Sequence, residues 1–156
     1  MRTTAESKFV YVVYIRTTIE KLWAALREPE FTRLYWMATV QDCAWTPGAS
    51  WELKFPDGRM ADKGEVLEID PPRKLVLKWE HQLFPDMKAD GASQMTYLLE
   101  EHGETVKLTL IHEHPKPDSK LIKGVSNGWP FILSSLKSLL ETGDSIVESR
   151  SMPAGI

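Results

Sequence analysis

Three histidines carry the side chains best suited to hold a metal ion or to move a proton. His112 and His114 are two residues apart, so in an extended segment both imidazoles lie on the same side, with His81 as a third candidate. A metal site needs about three or four converging ligands, however, and Pro115 and Pro117 indicate that this segment ends in solvent. The sequence therefore predicts no metal site.

His112 is also a candidate for acid–base chemistry. Its alternation with Val106, Leu108 and Leu110 places it on the inward face of a strand. There an imidazole acts as a general base or a hydrogen-bond donor to a ligand, or is satisfied by backbone groups. Tyr97 is the second acid–base candidate. No serine elbow or glycine-rich phosphate loop is recognisable, and the lone cysteine has no evident activating partner. We predict no catalytic residue and no cofactor.

Tryptophan is unusually frequent, with six in 156 residues. Large aromatic side chains dominate most protein cores, so packing alone explains them. The alternative is a ligand cavity in which indole N–H and phenol O–H groups orient the ligand. The predicted aromatic residues of the cavity wall are Trp36, Trp51, Trp79, Tyr97 and Trp129, of which Trp51, Tyr97 and Trp129 are the first choices for ligand contact. The predicted apolar part of the wall is Leu53, Met95, Leu110 and Leu133, and His112 is predicted to lie at one end of the cavity.

A loop over residues 81–87 contains three large apolar side chains, Leu83, Phe84 and Met87. Solvent alone does not favour such residues in a loop, so they indicate a lid over the cavity or a contact between subunits. A loop packed onto the core is the alternative. Asp62, Glu65 and Glu68, by contrast, form an acidic stretch on one strand that we expect on a solvated face.

Composition indicates one globular domain. The chain is 42% hydrophobic and 26% charged with a net charge of −3, which excludes a disordered chain and disfavours a nucleic-acid partner. A single cysteine, Cys43, excludes a disulfide framework and favours the cytoplasm. The apolar run over residues 9–15 is too short to insert into a membrane, and no leader segment is recognisable.

The order of local patterns predicts an α+β fold. Residues 9–15 are β-branched and aromatic, which is typical of a strand buried on both faces. Thr17 or Thr18 can cap a first short helix that stops at Pro29, and a second short helix follows. From Cys43 onward, apolar and polar residues alternate in about six short strands, which predicts an antiparallel meander.

The last predicted element is a long amphipathic helix. Asp118 or Ser119 can cap its start and Gly143 its end. Pro130 removes one backbone hydrogen bond, which predicts a kink or a helix restart between residues 126 and 130. The residues after Gly143 lack periodicity and predict a loose tail. Such a helix must bury its apolar stripe against the concave face of the sheet, which leaves room for a cavity.

Several segments together resemble a known superfamily. Residues 15–26 (IRTTIEKLWAAL), followed by Pro29, Glu30 and Trp36, resemble the opening of START-like domains, also called helix-grip, Bet v 1-like or SRPBCC domains. Residues 64–75 (GEVLEIDPPRKL), together with the final helix around Gly128, resemble the heat-shock protein 90 ATPase activator homologue subgroup. The resemblance covers residues 9–142, and leaves residues 1–8 as an N-terminal extension and 143–156 as a C-terminal tail.

The resemblance implies a helix-grip fold, in which a curved antiparallel sheet of about six to seven strands wraps around the C-terminal helix, with two short helices after the first strand. Its members bind lipids, sterols, polyketides or plant hormones, and a minority catalyse cyclisation or dehydration. We therefore expect a non-enzymatic domain that binds a small hydrophobic or amphipathic molecule. The alternatives are a chaperone- or protein-interaction module and a cyclase- or dehydratase-like enzyme that uses His112 and Tyr97. A homodimer is possible in each case.

Overall fold

A computed structural model of the protein describes residues 5–153. Within that range seven strands and four helices follow one another along the chain. They are β1 (Ser7–Ile15), α1 (Ile19–Arg27), α2 (Pro29–Tyr35), β2 (Val40–Cys43), β3 (Ser50–Lys54), β4 (Met60–Asp70), β5 (Lys74–His81), α3 (Pro85–Ala89), β6 (Ser93–His102), β7 (Thr105–His114) and α4 (Lys120–Thr142), with one further 3₁₀ turn at Val147–Arg150. None of these helices has both the length and the apolar character that crossing a membrane requires.

The strands form one antiparallel sheet in the order β1-β7-β6-β5-β4-β3-β2. Neighbours from β2 to β7 are joined in chain order, as expected for short strands connected by tight turns. The two short helices follow β1, and α4 buries its apolar stripe in the same core as the inward residues of the sheet. The predicted α+β helix-grip fold is confirmed.

Strand β1 differs from its prediction, because it is not buried on both faces. Val10, Val12 and Tyr14 are 43–50% exposed, whereas the alternate residues lie against the core. The core lies on only one face of the sheet, so burial alternates along β1 as it does along its neighbour β7. As an edge strand, β1 pairs only with β7 among the described strands. Its outward face is apolar and remains in contact with solvent.

Local capping places the first two helices as the sequence predicts. The Thr18 hydroxyl accepts a hydrogen bond from the backbone N–H of Lys21 at 3.2 Å, which satisfies one free donor at the start of α1. Pro29 begins α2 at its first turn, where a missing N–H costs nothing. Trp36 follows the C-terminal end of α2 and is buried in the core.

Helix α4 is continuous from Lys120 to Thr142, so the helix restart predicted near Pro130 does not occur. Ser119 caps its start through a 3.2 Å bond from the Ile122 N–H, and Gly143 ends it in the left-handed conformation at a φ of 88°. Pro130 leaves one carbonyl without its helical partner. Burial of the residues around it outweighs that loss, because Trp129, Ile132, Leu133 and Leu136 all lie in the core.

The tail after Gly143 is not loose over its described part, which corrects the prediction. Ser149 is fully buried, and its hydroxyl lies 2.7 Å from that of Ser135 on α4. The Ser135 hydroxyl also accepts the N–H of Ile146 at 2.9 Å, and Ser149 donates to the Leu34 carbonyl of α2 at 3.2 Å. Hydrogen bonds of serine hydroxyl groups therefore hold this segment against α2 and α4. Such bonds produce no hydrophobic periodicity in the sequence, which is why the prediction missed them.

Candidate ligand-binding site

A cavity of about 190 Å³ lies between α4 and the sheet. It is bordered by the end of α2, by strands β3 to β5, by the loop between β5 and β6, and by one face of α4. Most of its wall is apolar. The aromatic members are Trp36, Phe55, Trp79, Phe84 and Trp129, and the aliphatic and thioether members include Met37, Leu53, Leu83, Met87 and Ile132.

Two glycines on α4 keep space beside the helix. Gly124 and Gly128 are four residues apart, so they lie on the same helix face, and both border the cavity. A Cβ atom at Gly128 would meet nothing within 4 Å. A Cβ atom at Gly124 would lie 2.5 Å from the Met87 Cε atom, so the missing side chain there lets Met87 pack against the helix.

Tryptophan rings build the inner wall around Trp79. Its ring centroid lies 4.5 Å from that of Trp51, 5.6 Å from Trp129 and 6.1 Å from Trp36. Gly64 pairs in register with both Trp51 and Trp79, so no side chain separates those two indoles. The Lys78 carbonyl oxygen stands 1.7 Å from where a Cβ at Gly64 would be, so this close approach of strands requires glycine.

The indole N–H groups of three tryptophans are engaged inside the protein. Trp51 donates to the Gln41 side-chain oxygen at 2.9 Å, and Trp79 donates to the Asp62 carboxylate at 2.9 Å. Trp129 donates to Nδ1 of His112 at 3.1 Å. These N–H groups therefore stabilise the wall and are not free to orient a ligand, contrary to the role that the sequence suggested for them.

His112 lies behind the cavity wall, and both of its ring nitrogens are occupied. Nδ1 accepts from Trp129, so Nε2 carries the proton and donates to the Ser93 hydroxyl at 2.8 Å. Ser93 in turn donates to the Trp79 carbonyl at 3.0 Å. Burial lowers the pKa of His112 to about 3, which keeps the ring neutral. No nitrogen of His112 is left for acid–base chemistry.

Tyr97 also lies in the core behind the wall. Its ring packs edge-on against Trp129 at 6.1 Å, and burial raises its pKa well above the ordinary value. Its hydroxyl has no hydrogen-bond partner among residues 5–153. Of the predicted cavity residues, Trp36, Leu53, Trp79 and Trp129 border the cavity, whereas the others are buried around them, namely Trp51, Met95, Tyr97, Leu110, His112 and Leu133.

The sequence interpretation missed the polar pair that does border the cavity, Asp62 and His81. Asp62 is 7% exposed and not on a solvated face as predicted. It is directly opposite His81 in the β4–β5 ladder, and its Oδ1 atom accepts from His81 Nδ1 at 2.8 Å as well as from the Trp79 indole. The spacing in the sequence could have indicated this burial. Asp62 and the buried Val66 are four residues apart on one strand, so both side chains point to the inward face.

The second ring nitrogen of His81 has no partner within residues 5–153. The residue is 7% exposed and borders the cavity. An unpaired buried acceptor costs about 1–3 kcal/mol in a folded protein. His81 therefore presents an unsatisfied polar atom in a mainly apolar site.

The three lid residues, Leu83, Phe84 and Met87, all border the cavity. A short helix, α3, forms within this loop, and the sequence interpretation did not include it. The Phe84 ring stacks on the His81 imidazole at 5.5 Å and an interplanar angle of 13°, yet is 49% exposed. The loop thus covers the cavity with side chains that are packed on one side and open to solvent on the other.

Asp90 fastens the end of this loop to the start of α4. Its carboxylate accepts bonds from the Ser119 hydroxyl at 2.7 Å, the Leu121 N–H at 3.0 Å and the Lys116 ammonium at 2.9 Å. Burial alone would raise the pKa of Asp90, but these three donors outweigh it and hold the pKa well below its usual range. The carboxylate also faces the N-terminal end of α4, where negative charge is favoured.

His114 does not join a metal cluster with His112 and His81. Its Nε2 atom lies 2.8 Å from the Asp90 carbonyl, and its Nδ1 atom accepts the Lys116 N–H at 2.9 Å. Within residues 5–153 no group of three or more His, Cys, Asp or Glu side chains is arranged to hold a metal ion.

Solved structures with a similar fold come from distant relatives. A protein from Mesorhizobium loti aligns with a TM-score of 0.73 and 24% identity, covering 86% of this chain and 96% of that one. The Aha1 dimer from Colwellia psychrerythraea aligns at 0.70 and 19%, covering 88% and 98%. An Hsp90 activator from Plasmodium falciparum aligns at 0.67 and 23%, covering 85% and 95%. At these identities the likeness concerns the fold.

Sequence comparison with curated proteins gives no match. A family model does match, and it describes "Activator of Hsp90 ATPase homolog 1-like protein" over residues 16–141. That range includes every element from α1 to nearly the end of α4. Since the match extends over most of the chain, the protein belongs to the family of Activator of Hsp90 ATPase homolog 1-like proteins.

Proposed function

We propose that this protein binds one small, mainly apolar molecule in the cavity between α4 and the sheet, in the cytoplasm and without catalysing its conversion. The observation that carries this proposal is the cavity of about 190 Å³ with an aromatic wall. An engineered apolar cavity of about 150 Å³ binds benzene, so this volume suits a ligand built on a single ring. Transfer of such a ring from water into the cavity supplies the affinity.

Toluene is a suitable first probe, because it has no polar group. In ¹H–¹⁵N NMR spectra, titration with toluene should shift the indole signals of Trp79 and Trp129, which border the cavity, and leave that of Trp23 on α1 unchanged. The control variant Gly128→Leu directs a side chain into the open space beside α4 and should abolish these shifts while the protein stays folded. Shifts that persist in Gly128→Leu, or no shifts in the parent protein, would contradict the proposal.

A second candidate function is a protein-interaction role like that of the Hsp90 activators in the family. The observation that favours it is Phe84, a large apolar side chain that is 49% exposed on the lid loop. Phe84→Ala should weaken binding to an Hsp90 chaperone in a pull-down with purified proteins, whereas Leu83→Ala, at a less exposed neighbour, serves as the matched control. Unchanged binding in Phe84→Ala would exclude this surface.

For the oligomeric state we propose a homodimer through the edge strand β1. Its outward residues Val10, Val12 and Tyr14 are apolar and exposed, and a relative of the same fold is described as a dimer. A charge on an edge strand opposes pairing of identical edges. Light scattering should therefore give a dimer mass for the parent protein and a monomer mass for Val12→Lys; a monomer mass for both would refute the dimer.

A further inference from the structure

We propose that His81, held by Asp62, is the polar anchor of the cavity and that the ligand class it selects is a phenol, whose aromatic ring fills the cavity and whose O–H donates to Nε2 of His81. This inference deepens the proposed function and rests on it.

The hydrogen bonds determine which group His81 can recognise. An ionised carboxylate only accepts hydrogen bonds, so the proton on the Asp62 side of the imidazole is on Nδ1. In the neutral ring, Nε2 is then an acceptor with a free lone pair. The matching group on a ligand is a donor, and the smallest neutral donor that a mainly apolar molecule carries is a hydroxyl.

The contrast with His112 indicates that the open nitrogen of His81 is not a general feature of histidines in this core. Both histidines are buried: the His112 ring lies 5.2 Å from that of Trp79, and His81 shares the Asp62 Oδ1 atom with the Trp79 indole. His112 has each nitrogen engaged, by Trp129 and by Ser93. His81 has one nitrogen engaged and borders the cavity, and no donor within residues 5–153 reaches the other. A ligand hydroxyl in the cavity supplies the missing donor.

Charge and shape restrict the ligand further. The Asp62 carboxylate also borders the cavity and repels an anionic ligand, which favours a neutral hydroxyl over a carboxylate. Trp36, Trp79 and Trp129 form an aromatic wall on which a planar ring packs well. The Phe84 ring lies parallel to the imidazole and covers it from solvent, so the hydrogen bond forms where water does not compete.

The test compares two probes of nearly equal shape, p-cresol and p-xylene, which differ by a hydroxyl in place of a methyl group. Dissociation constants come from NMR titrations of the parent protein and its variants. His81→Asn retains a side-chain N–H for Asp62, but its shorter side chain has no acceptor at the former Nε2 position. His81→Gln places an amide oxygen near that position. His102→Asn changes an exposed histidine at the far end of β6 and serves as the matched control.

We expect His81→Asn to weaken p-cresol binding about five- to tenfold and to leave p-xylene binding unchanged, because one neutral hydrogen bond is lost. His81→Gln should recover part of the loss, His102→Asn should show none, and p-toluate should not bind the parent protein. Equal effects of His81→Asn on both probes, or none on p-cresol, would overturn the phenol anchor and leave the apolar cavity intact. If neither p-cresol nor p-xylene binds, the proposed function fails for ligands of this size, and the anchor fails with it.

Discussion

Alanine substitutions at the two glycines of α4 offer a direct test of the cavity, because the same change in the same helix meets different surroundings. Replacement of glycine by alanine inside a helix stabilises the folded state by about 0.8–1 kcal/mol. At Gly128 the new methyl group would have no other atom within 4 Å, so nothing opposes the gain in stability. For a chain of this length, about 1 kcal/mol raises Tm by about 2–4 °C.

At Gly124 the same gain is opposed by a collision. The new Cβ would lie 2.5 Å from Cε and 2.6 Å from Sδ of Met87, where carbon–carbon contacts normally begin near 3.5 Å. Met87 is flexible and moves away at modest cost, but its contact with the helix is lost. We therefore expect Gly124→Ala to leave the free energy of unfolding nearly unchanged. Met87→Ala should lower the free energy of unfolding less in the Gly124→Ala background than in the parent protein, because it also removes the collision.

Urea denaturation followed by circular dichroism gives the free energy of unfolding for the parent protein, both single variants and the double variant. Equal gains at Gly124 and Gly128 would show that Met87 does not pack against the helix. A loss of stability in Gly128→Ala would refute the open space beside α4, and with it the physical basis of the cavity.

Further predictions concern buried polar groups. Tyr97→Phe removes a hydroxyl with no partner in the described structure and should keep or raise the free energy of unfolding in urea titrations; a loss above about 1 kcal/mol would mean that the hydroxyl is bonded. His112 should stay in the neutral Nε2–H tautomer down to about pH 4 in ¹⁵N NMR spectra, because burial lowers its pKa to about 3; titration near pH 6.5 would contradict its burial. Only the unfolded state then takes up this proton between about pH 6.5 and 3, so His112 should reduce the free energy of unfolding by about 1.4 kcal/mol per pH unit of acidification in that window. Asp90→Asn should lower the free energy of unfolding by about 1.5–3 kcal/mol at pH 7, because its charged hydrogen bonds are lost. Since the pKa of Asp90 is held low, this stability is complete above about pH 4 and is lost below it, so the difference from the parent protein should shrink at pH 3; a constant difference would exclude the carboxylate charge as its source.

Local signals in the sequence were sufficient for the elements and their order. Thr18, Ser119 and Gly143 stand at helix ends because their side chains or backbone conformations satisfy the free groups there, and this depends only on near neighbours. Alternation of apolar residues likewise predicted the strands from β3 to β7. The inward faces were also predictable, which is why every proposed wall residue is buried.

Only the tertiary structure decided which inward residues border a cavity and which are covered. Trp51 and Trp129 carry the same side chain on inward faces, yet only Trp129 borders the cavity, because Trp79 packs against Trp51 at 4.5 Å. Strand β1 has one exposed face because the core covers only one side of the sheet, and the continuous apolar run of residues 9–15 does not contain that information.

The Asp62–His81 pair also depends on distant parts of the chain, since the two residues are nineteen positions apart and meet through the β4–β5 register. A carboxylate in an acidic stretch is normally solvated, so its burial becomes favourable only once Trp79 and His81 supply donors from the next strand. Secondary structure followed from short-range hydrogen bonding and periodicity. The cavity and its polar anchor followed from which side chains the folded sheet brings face to face, a property that no local pattern encodes.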